Sequence, residues 1–419
     1  MPIDPPGDFS DIPLTQRPIT IIEGLADFDR ELRLGNMAQI RPIPLGFPQL
    51  DKNMGGGMHM EDLWLLGGMQ NVGKTIMALQ VARNIAIASD ALPIVVCYEH
   101  GKEILLMRLL CLESLENRED PEGNGVRLSE IERVIAEYSD HISAEENKRP
   151  LNFDWLVERL PNLQGAYQRM AEYANRLWLV KGDPVHTTVD VLHRYVQMAN
   201  ALGHRRVVLI VDYIQRMPFF SMGGIDLSPT QQIDFLVRGL KGIGLDRRVP
   251  VLGVAAADSE SLRQQRVHIE NLWGPSTMQY EPDGAFIINR DTMNADGTNK
   301  IVRIGIEKNR WGPSEIEFRH YLHGAYYSLS NTGRIVSEDE SYQAERINLK
   351  RTRIGPDPLV ALAMMYALRT LSQNPKWANS SNGHEHFVDL WRQMSISDNG
   401  GRDILEKLID MFDLEDRVK

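Results

Sequence analysis

The most informative run in the sequence is Leu63-Trp64-Leu65-Leu66-Gly67-Gly68-Met69-Gln70-Asn71-Val72-Gly73-Lys74-Thr75. It contains the pattern Gly-x-x-x-x-Gly-Lys-Thr, which binds phosphate when it stands between a strand and a helix. The apolar residues 63–66 predict a buried strand, and helically spaced apolar residues over 76–88 predict a helix directly after the loop. Because strand, loop and helix occur in this order, the run predicts a nucleotide-binding site rather than an ordinary glycine-rich turn.

The residue types in this loop suit phosphate and metal binding. Glycines let backbone N–H groups close around phosphate oxygens without interference from Cβ atoms, and the helix N-terminus adds a partial positive charge. The Lys74 ammonium is predicted to reach the β- and γ-phosphates, and the Thr75 hydroxyl to ligate Mg²⁺. We therefore expect ATP and Mg²⁺ as ligands, with nucleotide contacts from Gly68, Gln70, Asn71, Val72, Gly73, Lys74 and Thr75.

Two carboxylates that end apolar runs are candidates for the chemistry at this site. Asp212 follows the run 207–211, where a carboxylate would hold Mg²⁺ directly or through water, although a helix cap or loop position would also suit it. Glu99 ends the run 92–98, whose strand we expect to lie beside the phosphate-loop strand. It would then stand where a water attacks the γ-phosphate. From position alone, a solvated loop glutamate is an equal interpretation.

Lys308 and Arg310 close the strand predicted over 301–307. Alternation with a period of two places both cations on one face of that strand. Such a pair is usually solvated, but it could also reach the nucleotide of another subunit, as an arginine finger does. Spacing alone does not choose between these hypotheses.

Composition and charge narrow the class of protein. No apolar run in the 419 residues approaches the length of a membrane span, and residues 1–6 lack the basic and apolar regions of a signal peptide, so we expect a cytoplasmic protein without membrane contact. Cys97 and Cys111 lie among apolar residues, which predicts buried free thiols. The net charge of −11 argues against electrostatic binding of nucleic acid over a broad surface, but it allows a locally basic channel.

Strands alternate with helices over residues 46–330, which predicts an α/β protein with one mostly parallel, helix-covered sheet and an antiparallel edge formed by the later strands. A short helix is predicted at 21–34. It could pack against the chain's own core or on a neighbouring subunit. The predicted organisation is an N-terminal arm and helix at 1–45, a nucleotide-binding domain at 46–336 with an insertion at 114–150, and a C-terminal helical region at 337–419.

Several motifs in the same order resemble one family. They are the run Gly46-Phe47-x-x-Leu50-Asp51 before the phosphate loop, the stretch Tyr98–Cys111, the Walker B-like stretch Val211–Met217, and Lys308-Asn309-Arg310-Trp311-Gly312-Pro313. From Gly46 to about Leu329 the chain resembles the motor domain of bacterial replicative helicases of the DnaB type, within the RecA-like ATPases. The resemblance implies a RecA-like P-loop NTPase core in which Glu99 is the catalytic base and Lys308 and Arg310 reach a neighbour's γ-phosphate.

The resemblance also implies an assembly. The family forms rings, usually hexamers, with nucleotide at each subunit interface and single-stranded DNA in the channel. The helix at 21–34 would be the linker helix that docks on the next subunit, and the C-terminal helices would be available to a replication or repair protein. We do not expect the family's N-terminal collar domain, which meets primase, in this sequence.

Two departures from the family pattern bear on how ATP hydrolysis would be coupled to movement along DNA. The family places a Ser-Gln pair that senses the γ-phosphate where this chain has Ala255 and Ala256. The following loop, which touches the DNA backbone in the family, reads Asn271-Leu272-Trp273-Gly274-Pro275-Ser276 and lacks the family's arginine, although Trp273 could stack on a base. Two alternatives to a helicase follow, namely a RecA-type recombinase filament and a nucleotide-gated scaffold that recruits partners without unwinding DNA.

Overall fold

The structure is a computed structural model that describes residues 18–35, 40–115, 125–144, 153–219, 227–258, 264, 266–291 and 300–335. The predicted C-terminal helical region 337–419 lies outside these residues, as does part of the insertion at 114–150.

Helices and strands alternate along the described chain, as the sequence predicts. The helices are α1 (Ile21–Arg33), α2 (Pro48–Asn53), α3 (Lys74–Ala88), α4 (Lys102–Ser114), α5 (Leu128–Ala144), α6 (Phe153–Arg159), α7 (Asn162–Ala171), α8 (Val189–Ala201), α9 (Pro229–Arg247) and α10 (Thr277–Tyr280). The strands are β1 (Leu63–Gly68), β2 (Leu92–Cys97), β3 (Trp178–Lys181), β4 (Val207–Asp212), β5 (Val251–Val254), β6 (Gly284–Arg290), β7 (Lys300–Asn309), β8 (Ile316–His323), β9 (Ser328–Leu329) and β10 (Arg334–Ile335).

All these strands belong to one sheet, in the order β10-β8-β7-β6-β1-β5-β4-β2-β3, with β9 paired to β8. The strands from β6 across to β3 pair in parallel. Beyond β6, strands β7, β8 and β10 pair antiparallel. The predicted α/β class, with a mostly parallel sheet and an antiparallel edge, is confirmed.

One expectation about strand order is wrong. We expected the strand that leads to Glu99 to lie beside the phosphate-loop strand, but β4 and β5 separate β2 from β1. The neighbours of β1 are β5 and β6. The physical reason is that β1, β2, β4 and β5 are all apolar runs buried on both faces, so hydrophobicity identifies each strand without fixing which strands pair.

The core has two layers because the side chains of β1 alternate between the faces of the sheet. Trp64 and Leu66 face the layer that contains the buried side of α3. Leu63 and Leu65 face the layer that contains buried residues of α8 and α9. The strand that carries the phosphate loop is therefore fixed from both sides, which limits movement at its carboxyl end.

The run Gly46 to Asp51, which enters the nucleotide-binding region, has a structural role. The Asp51 carboxylate accepts hydrogen bonds from the backbone N–H groups of Leu45 at 2.6 Å and Gly46 at 3.1 Å. Burial raises the pKa of Asp51 to about 6, against the lowering effect of these donors. This carboxylate therefore caps the turn that leads into α2.

Helix α1 confirms the predicted helix, and it contains no buried residue. Its apolar side chains are strongly exposed, with 80% of Ile22, 62% of Leu25 and 51% of Phe28 accessible to solvent. Packing of this face against the chain's own core is therefore not observed among the described residues, and docking on a neighbouring subunit stays a prediction. Within the same residues, no helix has the length and apolarity needed to span a bilayer.

The pairing of Trp64 with Gly284 gives a test of the core. Gly284 of β6 lies opposite Trp64 of β1, and a Cβ atom there would clash with the fully buried indole ring. We expect Gly284→Ala to lower the free energy of unfolding by about 1–3 kcal/mol, because the new Cβ atom forces the buried ring or the backbone of β6 to shift. Urea denaturation followed by circular dichroism measures the change.

Gly305→Ala in β7 is the matched control for this prediction. Its new Cβ atom would meet nothing nearer than Glu317 Cγ, at 3.5 Å, so we expect a neutral or slightly stabilising effect. Equal effects of the two substitutions would contradict the clash.

Candidate functional site

The phosphate loop connects the carboxyl end of β1 to the first turn of α3. Gly68 has φ 147°, and a Cβ atom there would clash with the Ile288 carbonyl of the neighbouring strand. Gly73 is the N-cap of α3 with φ 98°, and no side chain caps the helix there. The first N–H groups of α3 therefore lack a side-chain acceptor and point toward the loop, as an anion site requires.

The residues between these glycines present backbone rather than side chains to the loop interior. Val72 is 1% exposed and packs into the core, which anchors the loop. Gln70 and Asn71 are exposed, and Asn71 has a positive φ of 59°. The carbonyl of Gln70 accepts a hydrogen bond from Arg290 Nη2 at 3.3 Å. The sequence did not identify Arg290, which adds a cation at the rim of the loop.

Lys74 lies over the loop. Its Nζ donates hydrogen bonds to the carbonyls of Gly68 at 2.9 Å and Met69 at 2.6 Å. Burial lowers the pKa of Lys74 to about 8, while the carboxylates of Asp212 and Glu99 act in the opposite direction. The ammonium is therefore close to Glu99, the predicted catalytic base, and to Asp212, the predicted metal ligand.

Asp212 ends β4 and is 2% exposed. Its Oδ2 accepts a hydrogen bond from the Cys97 thiol at 3.6 Å, whereas its buried Oδ1 has no hydrogen-bond partner among the described residues. Burial raises the pKa of Asp212, and the nearby Thr75 hydroxyl lowers it. Oδ1 of this buried carboxylate, close to the Thr75 hydroxyl, is therefore an oxygen ligand available to a cation.

This donor set fits Mg²⁺. The ion prefers oxygen ligands and is usually held by one or two protein groups, with waters and phosphate oxygens completing the octahedron. Thr75 and Asp212 would be those groups, and no cluster of three or more metal-ligating residues occurs in the part of the chain that the structure describes. When bound, Mg²⁺ supplies charge neutralisation at the β- and γ-phosphate oxygens.

Glu99 reaches the same edge of the sheet although β2 is not adjacent to β1. Its carboxylate influences the pKa of both Lys74 and Asp212. Its side chain is 39% exposed, and its Oε2 lies 3.8 Å from His100 Nε2. Burial and the charge of Arg108 lower the pKa of His100, which favours a neutral imidazole. His100 therefore adds little positive charge beside the Glu99 carboxylate.

Lys308 and Arg310 lie near the opposite end of the sheet from the phosphate loop. Lys308 of β7 pairs with Ala285 of β6, and Ala285 pairs with Leu65 of β1. Gly68 is three residues further along β1, or roughly 10 Å at the usual rise of a strand. Lys308 Nζ donates to the carbonyls of Gln279 and Tyr280, each at 2.8 Å, which directs it away from its own phosphate loop.

Asp283 holds Arg310, together with Lys241, and was missed from the sequence. Its carboxylate is buried and forms ion pairs with Lys241 at 2.6 Å and with Arg310 at 2.5 Å. Its Oδ2 also accepts from the backbone N–H of Leu63 at 2.8 Å. The Arg310 side chain nevertheless remains 65% exposed, so its guanidinium faces outward while its position is fixed. A carboxylate just before an apolar run was the only sequence signal for Asp283.

The chain is similar to known replicative helicases over most of the described region. The family model described as DnaB-like helicase C terminal domain matches residues 42–326. The replicative DNA helicase DnaC of Bacillus subtilis is 25% identical over 278 residues, which cover 65% of this chain and 53% of the relative. The replicative DNA helicase DnaB of Geobacillus stearothermophilus is 23% identical over 279 residues, which cover 66% and 53%. The chain thus spans about half the length of the curated relatives it matches.

Two solved structures share the fold. One is the structure of an ATPase domain, which aligns with a TM-score of 0.55 at 19% identity, covering 75% of this chain and 99% of that domain. The other is a DnaB-like replicative helicase, solved in a study of its interactions with primase, which aligns with a TM-score of 0.54 at 20% identity, covering 75% and 68%. The predicted RecA-like core is confirmed. Because the family model matches more than half of the chain, the chain belongs to the family of the DnaB-like helicase C-terminal domain.

Proposed function

We propose that the protein hydrolyses ATP with Mg²⁺ and uses the energy to move along single-stranded DNA as a ring-forming helicase. The observation that carries this proposal is the convergence of Lys74, Thr75, Glu99 and Asp212 at one edge of the sheet. Family membership supports the reaction, since its named relatives are replicative DNA helicases.

Different residues would bind the phosphates, hold the metal ion and activate the water. The phosphate loop and Lys74 bind the β- and γ-phosphates, and Thr75 and Asp212 hold Mg²⁺. Water attacks the γ-phosphorus, the bond to the bridging oxygen breaks, and Glu99 takes up the proton that the water loses. Lys308 and Arg310 would complete the site from a neighbouring subunit, because their own phosphate loop lies at the other end of the sheet.

The assembly follows from the same geometry. A subunit whose finger residues and phosphate loop face opposite ways can associate head to tail, and such an interface closes into a ring when the rotation allows it. We propose a hexamer of nucleotide-binding domains spanning residues 46–336, with the apolar face of α1 on the next subunit and single-stranded DNA in the channel. The C-terminal region 337–419 would meet a replication or repair protein in the cytoplasm.

Replacing Lys74 and Glu99 separates nucleotide binding from turnover. We expect Lys74→Ala to weaken ATP binding by at least about 100-fold, because the ammonium is the main cation of the loop. Glu99→Gln should bind ATP with little change but slow hydrolysis by about 10²–10⁴-fold, because an amide cannot take up the proton. Fluorescent-nucleotide titration and phosphate release measure the two effects.

Glu103→Gln is the matched control, since it removes an exposed carboxylate from the same stretch of chain and should change neither quantity. Normal hydrolysis by both Lys74→Ala and Glu99→Gln would contradict the assigned site. Hydrolysis by the unchanged chain without displacement of a strand from a fork would instead favour the nucleotide-gated scaffold.

Mixing inactive subunits tests whether Arg310 acts in trans. Lys74→Ala lacks a working loop and Arg310→Ala lacks the finger, so each alone should be nearly inactive. In an equal mixture, about a quarter of head-to-tail interfaces would combine an intact loop with an intact finger and recover hydrolysis. Mixing Lys74→Ala with Glu99→Gln is the control, because both changes damage the same side of the interface. No recovery in the first mixture, or equal recovery in the control, would contradict the assignment.

The pKa of Lys74 predicts how nucleotide affinity depends on pH. Below pH 8 the amine is charged and affinity should be constant, whereas above pH 8 binding must take up a proton because the phosphates require the ammonium. Affinity should then fall by up to about tenfold per pH unit. Lys74→Arg should remove the slope between about pH 7.5 and 9.5, since a guanidinium stays charged. The same slope in both proteins would exclude Lys74 as its source.

A further inference from the structure

The backbone beyond β5 is held by the side chain of Gln215. Ala255 is fully buried, and neither it nor Ala256 offers a polar side chain. The backbone of Ala256 is nevertheless paired by one amide group: its N–H donates to Gln215 Oε1 at 3.2 Å, and its carbonyl accepts from Gln215 Nε2 at 3.3 Å. Both hydrogen-bonding groups of Ala256 are therefore controlled by a residue from the adjacent strand connection.

This backbone is connected to the phosphate loop. The N–H of Ala257 donates to the carbonyl of Gly68 at 3.2 Å. The same carbonyl accepts a hydrogen bond from Lys74 Nζ at 2.9 Å. Phosphates would compete with the Gly68 carbonyl for the Lys74 ammonium, so nucleotide binding would change the hydrogen bonding of the carbonyl to which Ala257 is attached.

The same glutamine is connected to a segment with an exposed aromatic ring. Gln215 Nε2 donates to the carbonyl of Trp273 at 3.1 Å, and the N–H of Trp273 donates to the carbonyl of Ala256 at 2.9 Å. Leu272 is buried and bridges to Ala257. The Trp273 residue itself remains 44% exposed, which leaves the indole available for stacking on a base.

Gln215 is also close in sequence to Asp212, the carboxylate that ends β4. It lies in the short helical turn Ile214–Arg216, which begins two residues after Asp212. Ile214 is fully buried and packs so closely on β5 that a Cβ atom at Gly253 would clash with it. The turn is therefore fixed against β5, and the Gln215 amide is held between Ala256 and Trp273.

We propose that Gln215 is a positioning residue that couples the nucleotide bound at the phosphate loop to the binding of single-stranded DNA by the segment 271–276. This inference rests on the proposed function and adds the residue through which the two sites communicate. The polar pair of the family supplies side chains at 255 and 256, whereas here the connection uses the backbone at 256 and the Gln215 amide.

The test compares DNA affinity in two nucleotide states. Fluorescence anisotropy of a fluorescein-labelled oligothymidylate measures affinity with Mg²⁺ and either a non-hydrolysable ATP analogue or ADP. For the unchanged protein we expect the affinities to differ by about tenfold, a common size for coupling between two sites. In Gln215→Ala the difference should shrink to less than about twofold, while the affinity for each nucleotide stays within about twofold.

A conservative variant separates the two roles of the amide. Gln215→Glu keeps an oxygen that accepts from Ala256 but cannot donate to the carbonyls of Ala256 and Trp273, so it should lose coupling as Gln215→Ala does. Gln232→Ala is the matched control, because it removes a side chain that bonds the carbonyl of Leu227, away from this connection. That variant should keep the full difference of about tenfold.

Hydrogen exchange gives a readout that does not depend on DNA. The ATP analogue should slow amide exchange over residues 271–276 in the unchanged protein and have little effect there in Gln215→Ala. Full coupling in Gln215→Ala, or a parallel loss of nucleotide affinity, would overturn the inference while leaving the proposed function intact. Failure of the unchanged protein to bind the oligonucleotide in either state would instead overturn the proposed function.

Discussion

The site depends on two neighbouring opposite charges, the buried carboxylate of Asp212 and the half-buried ammonium of Lys74. Burial raises the pKa of the first and lowers that of the second, while each favours the charged form of the other. Such a pair is costly unless further partners satisfy it, and the Oδ1 of Asp212 has none in the described structure. A metal ion bound with a nucleotide would supply the missing partner of Asp212, and the phosphates would be further partners for Lys74. The fold thus holds two charged groups whose remaining partners a ligand would supply.

The order of the sheet explains how this pair is formed. Strand β5 separates β1 from β4, so their carboxyl ends stand roughly 10 Å apart, and the loop and first turn of α3 extend over that gap. The apolar runs in the sequence identified these strands because each is buried on both faces. Their order could not be predicted, since a continuous apolar run fits any interior position. The prediction for Glu99 relied on a wrong neighbour, yet its placement at the carboxyl edge holds because all parallel strands end there.

The parts of the site that sequence identified differ physically from those it missed. Gly68, Gly73 and Lys74 belong to a motif whose spacing follows from phosphate geometry, so a short window contains the information. Asp283 acts through Lys241 and Arg310, and Gln215 through Ala256, so each depends on residues that are distant in sequence. No local pattern marks a glutamine whose partners are backbone groups more than 40 residues away.

The alanines at 255 and 256 show why a missing side chain does not by itself mean a missing connection. Every residue other than proline retains an N–H and a carbonyl, and buried groups of this kind must be paired. At Ala256 the partner is the Gln215 amide, which also binds the carbonyl of Trp273. The polar side chain at this place can therefore come from the turn after β4 instead of from the residues after β5, and the backbone at 256 is still hydrogen-bonded. The alanines lack the polar side chains of the family pattern, but the backbone after β5 is still hydrogen-bonded to the phosphate loop on one side and to Trp273 on the other.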